Sequence, residues 1–144
     1  MKVIVGCDHA GFEYKKSLCR YLRDNRISFS DFGTNNCDSV DYPDYAHAVA
    51  KEVQKNSMNK GVLICGSANG VAITANKHKG IRAAICWNEK TAKLATTHNN
   101  ANIICIPARF ISKGDQTKIL NAFFNSKFEG GRHKLRVEKI DLSK

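Results

Sequence analysis

Cys65 is followed directly by Gly66-Ser67-Ala68-Asn69-Gly70. A thiol opening a run of small residues that enters a helix meets two conditions for chemistry. Small residues let the backbone approach a ligand closely, and the N–H groups of a helix start bind negative charge. The same groups can lower a cysteine pKa and favour the thiolate. Further candidates lie elsewhere in the chain. Asp8-His9 could accept hydroxyl hydrogen bonds and contact a phosphate or a sugar hydroxyl. His98-Asn99 supplies a second imidazole. Arg132 and Arg136 are four apart, so a helix would put both guanidinium groups on one face, as suits a phosphate dianion. Each group also has a plainer reading: a buried strand cysteine, Asp8 as a helix cap, His98 as a cap or surface residue, and a solvated face shared by the two arginines with Lys134 and Lys139. The loop is not a dinucleotide fingerprint, because Gly6…Gly11 lacks the middle glycine, and it is not a Walker loop, because no GK[ST] follows.

The elements that must position these residues are legible as an alternation. Five short apolar runs, most of them β-branched, span 3–5, 27–32, 62–65, 83–86 and 103–106. Helical patterns lie between them. Tyr14, Leu18, Tyr21 and Leu22 share one face; Tyr42, Ala46, Val49 and Val53 share another, with Pro43 placed for a first turn. Residues 91–97 and 113–125 are compatible with helices, Gly130-Gly131 breaks the last of these, and 132–142 can form one more short helix. Strand–helix units repeated in this way predict a three-layer α/β/α, Rossmann-like fold around a five-stranded parallel sheet. In such a sheet the strand carboxyl ends share one edge and ligands bind there. Cys7 to Gly11, Cys65 to Gly70 and Arg109 all follow strands and reach that edge.

Length and composition set the bounds. The chain has 144 residues, the size of one domain, and can bury about 68–70% of its unfolded surface. The expectation is therefore one domain over 1–144. With 42% hydrophobic and 25% charged residues the chain reads as globular. No apolar run approaches the ~20 residues of a membrane span, and the N-terminus lacks a signal-peptide core, so a cytoplasmic protein is expected. Its six cysteines stand no closer than twelve residues apart, which excludes a CxxC pair and reads as free thiols. The net charge is +10, unevenly spread: residues 1–72 hold 9 basic and 8 acidic groups, residues 73–144 hold 14 and 5. The basic half suits an anionic partner, either a phosphorylated metabolite or nucleic acid. No aromatic-rich basic strand marks a single-strand platform, so nucleic acid is the weaker expectation and a non-catalytic basic binding module the rival reading.

GCDHAG (6–11), DYPDYA (41–46), CGSANG (65–70), ANKHKGIRAA (75–84), HNNAN (98–102) and EGGRHKLRV (129–137) together resemble the type B ribose-5-phosphate isomerases, a family that includes galactose-6-phosphate and allose-6-phosphate isomerases. The resemblance implies an aldose–ketose isomerase interconverting ribose 5-phosphate and ribulose 5-phosphate through an enediolate, without metal or cofactor. Allose 6-phosphate or galactose 6-phosphate is the alternative substrate. By similarity Cys65 is the base that moves a proton between C1 and C2, and His98 helps open the furanose ring. Asp8 and His9 contact substrate; Gly66, Ser67, Ala68, Asn69 and Gly70 hold the enediolate oxygens; Asn99, Arg109, Arg132 and Arg136 complete the site and clamp the phosphate. Many relatives carry Gly at the Ala68 position, so a Cβ there is costly if the turn requires positive φ. Another branch uses a Glu just after the loop; Val71 stands there in this chain, leaving Cys65 as the base.

Two physical expectations follow. A thiol of ordinary pKa ~8.5 is a weak base, so the helix start is expected to ionise it in part. Helices of a parallel α/β fold return to the opposite sheet edge, so His98, Asn99, Arg132 and Arg136 should lie far from Cys65 of the same chain. A homodimer, or a dimer of dimers, with composite sites is therefore expected, the C-terminal helix of about 131–142 packing on a partner subunit.

Overall fold

The structure of the chain, a computed structural model, describes residues 1–142. The strands are β1 Val3–Cys7, β2 Phe29–Asp31, β3 Lys60–Cys65, β4 Ala83–Ile85 and β5 Ile103–Pro107. The helices are α1 Phe12–Asp24, α2 Tyr42–Gln54, α3 Asn69–Ala75, α4 Glu89–Thr97, α5 Lys113–Asn125 and α6 Arg132–Glu138. All strand pairs are parallel, in the order β2-β1-β3-β5-β4. Central strands are buried on both faces, and side-chain alternation sends them into two cores. Val3, Val5, Val62, Ile64, Ile104 and Ile106 pack with Leu18 and Leu22 of α1, Ala92 and Ala95 of α4, and Ile119, Leu120 and Phe123 of α5. Ile4, Leu63, Cys65, Ile103 and Cys105 pack with Ala46, Val49 and Val53 of α2 and with Val71, Ala72 and Ala75 of α3. The three-layer α/β/α expectation holds. Among the described residues no helix is long and apolar enough to cross a membrane.

Local chemistry sets the helix starts. Asn88 accepts from Thr91 N–H at 2.9 Å while Thr91 Oγ1 accepts from Asn88 N–H at 3.3 Å, a reciprocal cap that opens α4. Ser112 and Asp115 repeat the device on α5 at 3.0 and 3.2 Å. Gly130 and Gly131 have φ of 68° and 52° and separate α5 from α6. The run at 27–32 forms a ladder only over Phe29–Asp31, and the last helix ends at Glu138, short of the 142 expected. β2 is an edge strand with half-exposed residues, so less of its apolar run is drawn into pairing.

One ion pair ties α1 to the edge strand. Lys15, only 3% exposed, sits 2.8 Å from Asp31 and donates to Thr34 C=O at 2.6 Å. Removing one partner of a buried pair leaves the other charge and the carbonyl poorly solvated. Asp31 is about a third open to water, which places the cost at the low end. Lys15→Met should lower unfolding free energy by about 3 kcal/mol in urea titrations; a change under about 0.5 kcal/mol would show that the pair contributes nothing net.

Candidate active site

The carboxyl edge of β1, β3 and β5 gathers nine of the predicted residues. The strand register carries β3 to its end at Cys65, opposite Pro107 of β5. The next residues stay joined: Ala108 N–H donates to Cys65 C=O at 2.9 Å and Arg109 N–H to Gly66 C=O at 3.1 Å. On the other side Asp8 N–H donates to Ile64 C=O at 3.2 Å. The turn after β1 can lie this close because Gly11 has no Cβ: one placed there would fall 2.8 Å from the Ile64 carbonyl carbon. Asp8 is 7% exposed, and its Oδ1 accepts from Gly11 N–H at 3.1 Å, so it caps the 3-10 turn His9–Gly11 that leads into α1, while α1 itself starts from Gly11 without a side-chain cap. Val40 N–H donates to His9 Nδ1 at 3.2 Å; a neutral His9 ring therefore carries its proton on Nε2. The Arg109 guanidinium lies against Gly66, where an added Cβ would stand 3.1 Å from Nη1.

The loop after Cys65 turns through a left-handed residue. Ala68 has φ 65° and ψ −3°, the conformation in which a Cβ is costly, and α3 begins at the next residue. The turn folds Ala68 N–H back to Cys65 Sγ at 3.2 Å. Tyr42, at the start of α2, lays its ring over Gly70, leaving no room for a Cβ there. Tyr42 was visible in the sequence only as part of DYPDYA; its meeting with Gly70 depends on how α2 packs on α3.

The thiol departs from the sequence-based expectation. Burial, and then the Asp8 carboxylate, push Cys65 up; the backbone amides of Ala68, Val71 and Ser67 pull it down but do not win. Its residue is 5% exposed, so desolvation of a thiolate outweighs three peptide donors. In the isolated chain Cys65 rests as a thiol rather than the partly ionised group expected. Cys7 and Cys86 show burial with less relief, each pushed up to about 12.

His98, Asn99, Arg132 and Arg136 do not join this edge. His98 ends α4, and the chain then runs through Asn102, whose C=O accepts from Gly61 N–H at 2.8 Å, to the amino end of β5. Cys65 is paired with the far end of that strand, roughly 13 Å away along it at 3.3 Å per residue. The His98 edge has its own cluster. The His98 and His133 rings stack at 4.1 Å, and Glu129 Oε2 lies 3.9 Å from His98 Nε2 and 4.0 Å from His133 Nε2. Arg136 Nη1 donates to Arg132 C=O at 2.9 Å, holding both arginines on α6 and exposed. Sequence reading passed over Glu129 and His133. Their i,i+4 spacing was a signal, masked by the two glycines between them.

Two outcomes test this geometry. Ala68→Gly relieves about 1–2 kcal/mol of left-handed strain and loses one buried methyl of about 0.8 kcal/mol, so unfolding free energy should rise by up to about 1 kcal/mol; a clear loss would contradict the strained turn. Alkylation of Cys65 by iodoacetamide, followed by mass spectrometry, should show a pH midpoint above the ordinary thiol value of about 8.5. Asp8→Asn, which keeps the capping oxygen and removes the charge, should shift that midpoint to lower pH; no shift would show that Asp8 does not act on the sulfur.

The geometry has counterparts in known proteins. Residues 3–140 match the family described as Ribose/Galactose Isomerase. A protein of Mycoplasma genitalium named probable ribose-5-phosphate isomerase B is 43% identical over 140 residues, covering 96% of this chain and 92% of that one. The crystal structure of a ribose 5-phosphate isomerase from Thermotoga maritima superposes with a TM-score of 0.95 at 43% identity, covering 97% of both chains. That of ribose-5-phosphate isomerase B from Mycoplasma genitalium with bound ribulose-5-phosphate gives 0.94 at 42% identity, covering 96% of this chain and 93% of the other. The chain belongs to the ribose/galactose isomerase family and is a sugar isomerase.

Proposed function

We propose that the chain interconverts ribose 5-phosphate and ribulose 5-phosphate, with Cys65 as base and with each site completed by a second copy of the chain. The observation that carries the reading is the sulfur at the tip of β3, met by a peptide N–H at 3.2 Å and facing the Asp8 carboxylate, with Arg109 against the next residue, Gly66, on a fold shared with a relative whose structure holds ribulose-5-phosphate.

The steps balance on these groups. His98 of the second copy protonates the ring oxygen while the anomeric hydroxyl gives its proton to solvent, so the bond from C1 to the ring oxygen breaks and the furanose opens to the aldehyde; solvent then reprotonates His98. The Cys65 thiolate takes the proton from C2, and the electron pair moves through C1=C2 to O1. The loop amides that face the sulfur, together with the peptide groups of 66–70, hold the charge on O1. The thiol returns its proton to C1 while the O2 proton passes to O1, directly or through solvent, leaving the ketose. Because the resting thiol is un-ionised, kcat/KM rises from neutral to alkaline pH as the thiolate fraction grows. Asp8 and His9 bind sugar hydroxyls. Arg109 from one chain, with Asn99, Arg132 and Arg136 from the other, bind the phosphate and hydroxyl ends. The basic second half of the chain provides the field that draws in the dianion.

Reach supports the dimer. His98 and the α6 arginines lie at the sheet edge opposite Cys65, so an isologous pair must bring them to the partner's sulfur. α6 fits a docking element: none of its residues is buried, and Leu135 is 65% exposed. The single domain over 1–144, whose last two residues lie outside the described ones, is thus read as half of a homodimer or part of a dimer of dimers.

The test is complementation. Cys65→Ala and His98→Asn should each be nearly inactive alone. Unfolded, mixed in equal amounts and refolded together, they should recover about a quarter of wild-type turnover, since half the dimers are mixed and one of their two sites is intact. No recovery, with mixed dimers shown by native mass spectrometry, would place both residues in one chain's site or outside it. Turnover of allose 6-phosphate or galactose 6-phosphate well above that of ribose 5-phosphate would move the substrate within the family.

A further inference from the structure

Three potential metal ligands converge at the His98 edge. The ligand atoms of His98, Glu129 and His133 all lie within 4.8 Å of one another. A zinc ion binds imidazole nitrogen and carboxylate oxygen at about 2.0–2.2 Å, so tetrahedral ligand atoms stand about 3.4 Å apart. Glu129 Oε2 is 3.9 and 4.0 Å from the two Nε2 atoms, which leaves about half an ångström to close. The Glu129 side chain is 58% exposed and free to make that move. The backbone is fixed beneath it: Glu129 N–H donates to Thr97 C=O at 3.0 Å, one residue before His98, and His133 N–H donates to Gly130 C=O at 3.0 Å.

We propose that His98, Glu129 and His133 form a binding site for a divalent transition-metal ion of the zinc class, and that its occupation inhibits the isomerase. Two imidazoles and one carboxylate select zinc, cobalt, nickel or copper over magnesium or calcium. Arg132 and Arg136 oppose a cation and Glu129 offsets them in part, which limits affinity. Binding rests on the cluster alone. Inhibition rests on the reading that His98 opens the substrate ring: a metal on Nε2 removes the proton donor and places an ion beside the arginines that hold phosphate. The stacked rings must tilt apart for both nitrogens to face one ion, a shift that the 36% exposure of the His98 side chain permits.

The experiment titrates the full-length protein with cobalt(II) and zinc(II) and follows ribose 5-phosphate turnover in parallel. Wild type should show cobalt d–d bands without a thiolate charge-transfer band, and zinc displacement of that signal at the concentration that halves turnover. Cys65→Ala should bind unchanged. Glu129→Gln should keep metal-free turnover and require at least tenfold more zinc for both binding and inhibition. His133→Gln should weaken binding equally. A thiolate band lost in Cys65→Ala, affinity unchanged by Glu129→Gln, or zinc bound without inhibition would overturn the proposal. Absence of any isomerase activity would instead defeat the functional reading, and the cobalt spectra would still decide the site.

Discussion

A single sulfur atom stands between opposing fields at the tip of β3. Peptide N–H groups from the loop that leads into α3 point at it and favour the anion; burial and the Asp8 carboxylate favour the thiol and win. The geometry that aims those donors is itself costly, because Ala68 adopts a left-handed backbone with a Cβ to accommodate. A strained turn held by two packed layers is a fixed dipole array, and its value lies in needing no reorganisation when charge appears on a bound molecule. In the proposed mechanism the same donors therefore matter more to an enediolate oxygen near the sulfur than to the resting cysteine.

The parallel sheet separates two chemistries. Its carboxyl edge collects the thiol, Asp8, His9 and Arg109; its amino edge collects His98, Glu129, His133 and the arginines of α6. Backbone hydrogen bonds between Cys65, Gly66, Ala108 and Arg109 lock the first set to the strands themselves. The second set hangs from the end of α4 and a short, exposed helix. One edge is locked to the strands and holds the proposed base; the other is solvent-facing and suited to delivery by a second copy. The proposed composite site would reconcile a complete set of residues with a sheet that holds its halves apart.

Much of this was legible from the residues. The β-branched runs at 62–65 and 103–106 became the central strands, because both faces of a parallel sheet are covered and local pattern and tertiary burial agree. The exchange of β4 and β5 in the strand order had no local signal, since either run could have formed the edge. The loop 66–70 was readable as an anion-binding turn, and the cost of Ala68 could be stated conditionally. The direction of the Cys65 shift could not. It depends on Asp8, 57 residues earlier, and on how deeply the strand tip is packed, and neither is a property of spacing. Tyr42 over Gly70 and His133 on His98 were hidden for the same reason: each contact joins elements whose docking is set by the whole core.

Proton transfer at Cys65 is the step on which the proposed isomerisation depends. Steady-state turnover of ribose 5-phosphate by Cys65→Ala, beside wild type and with folding checked by circular dichroism, is the most direct test. A loss in kcat of at least about a hundredfold with little change in KM is predicted, the scale of a missing general base. Wild-type kcat in the folded variant would contradict the account.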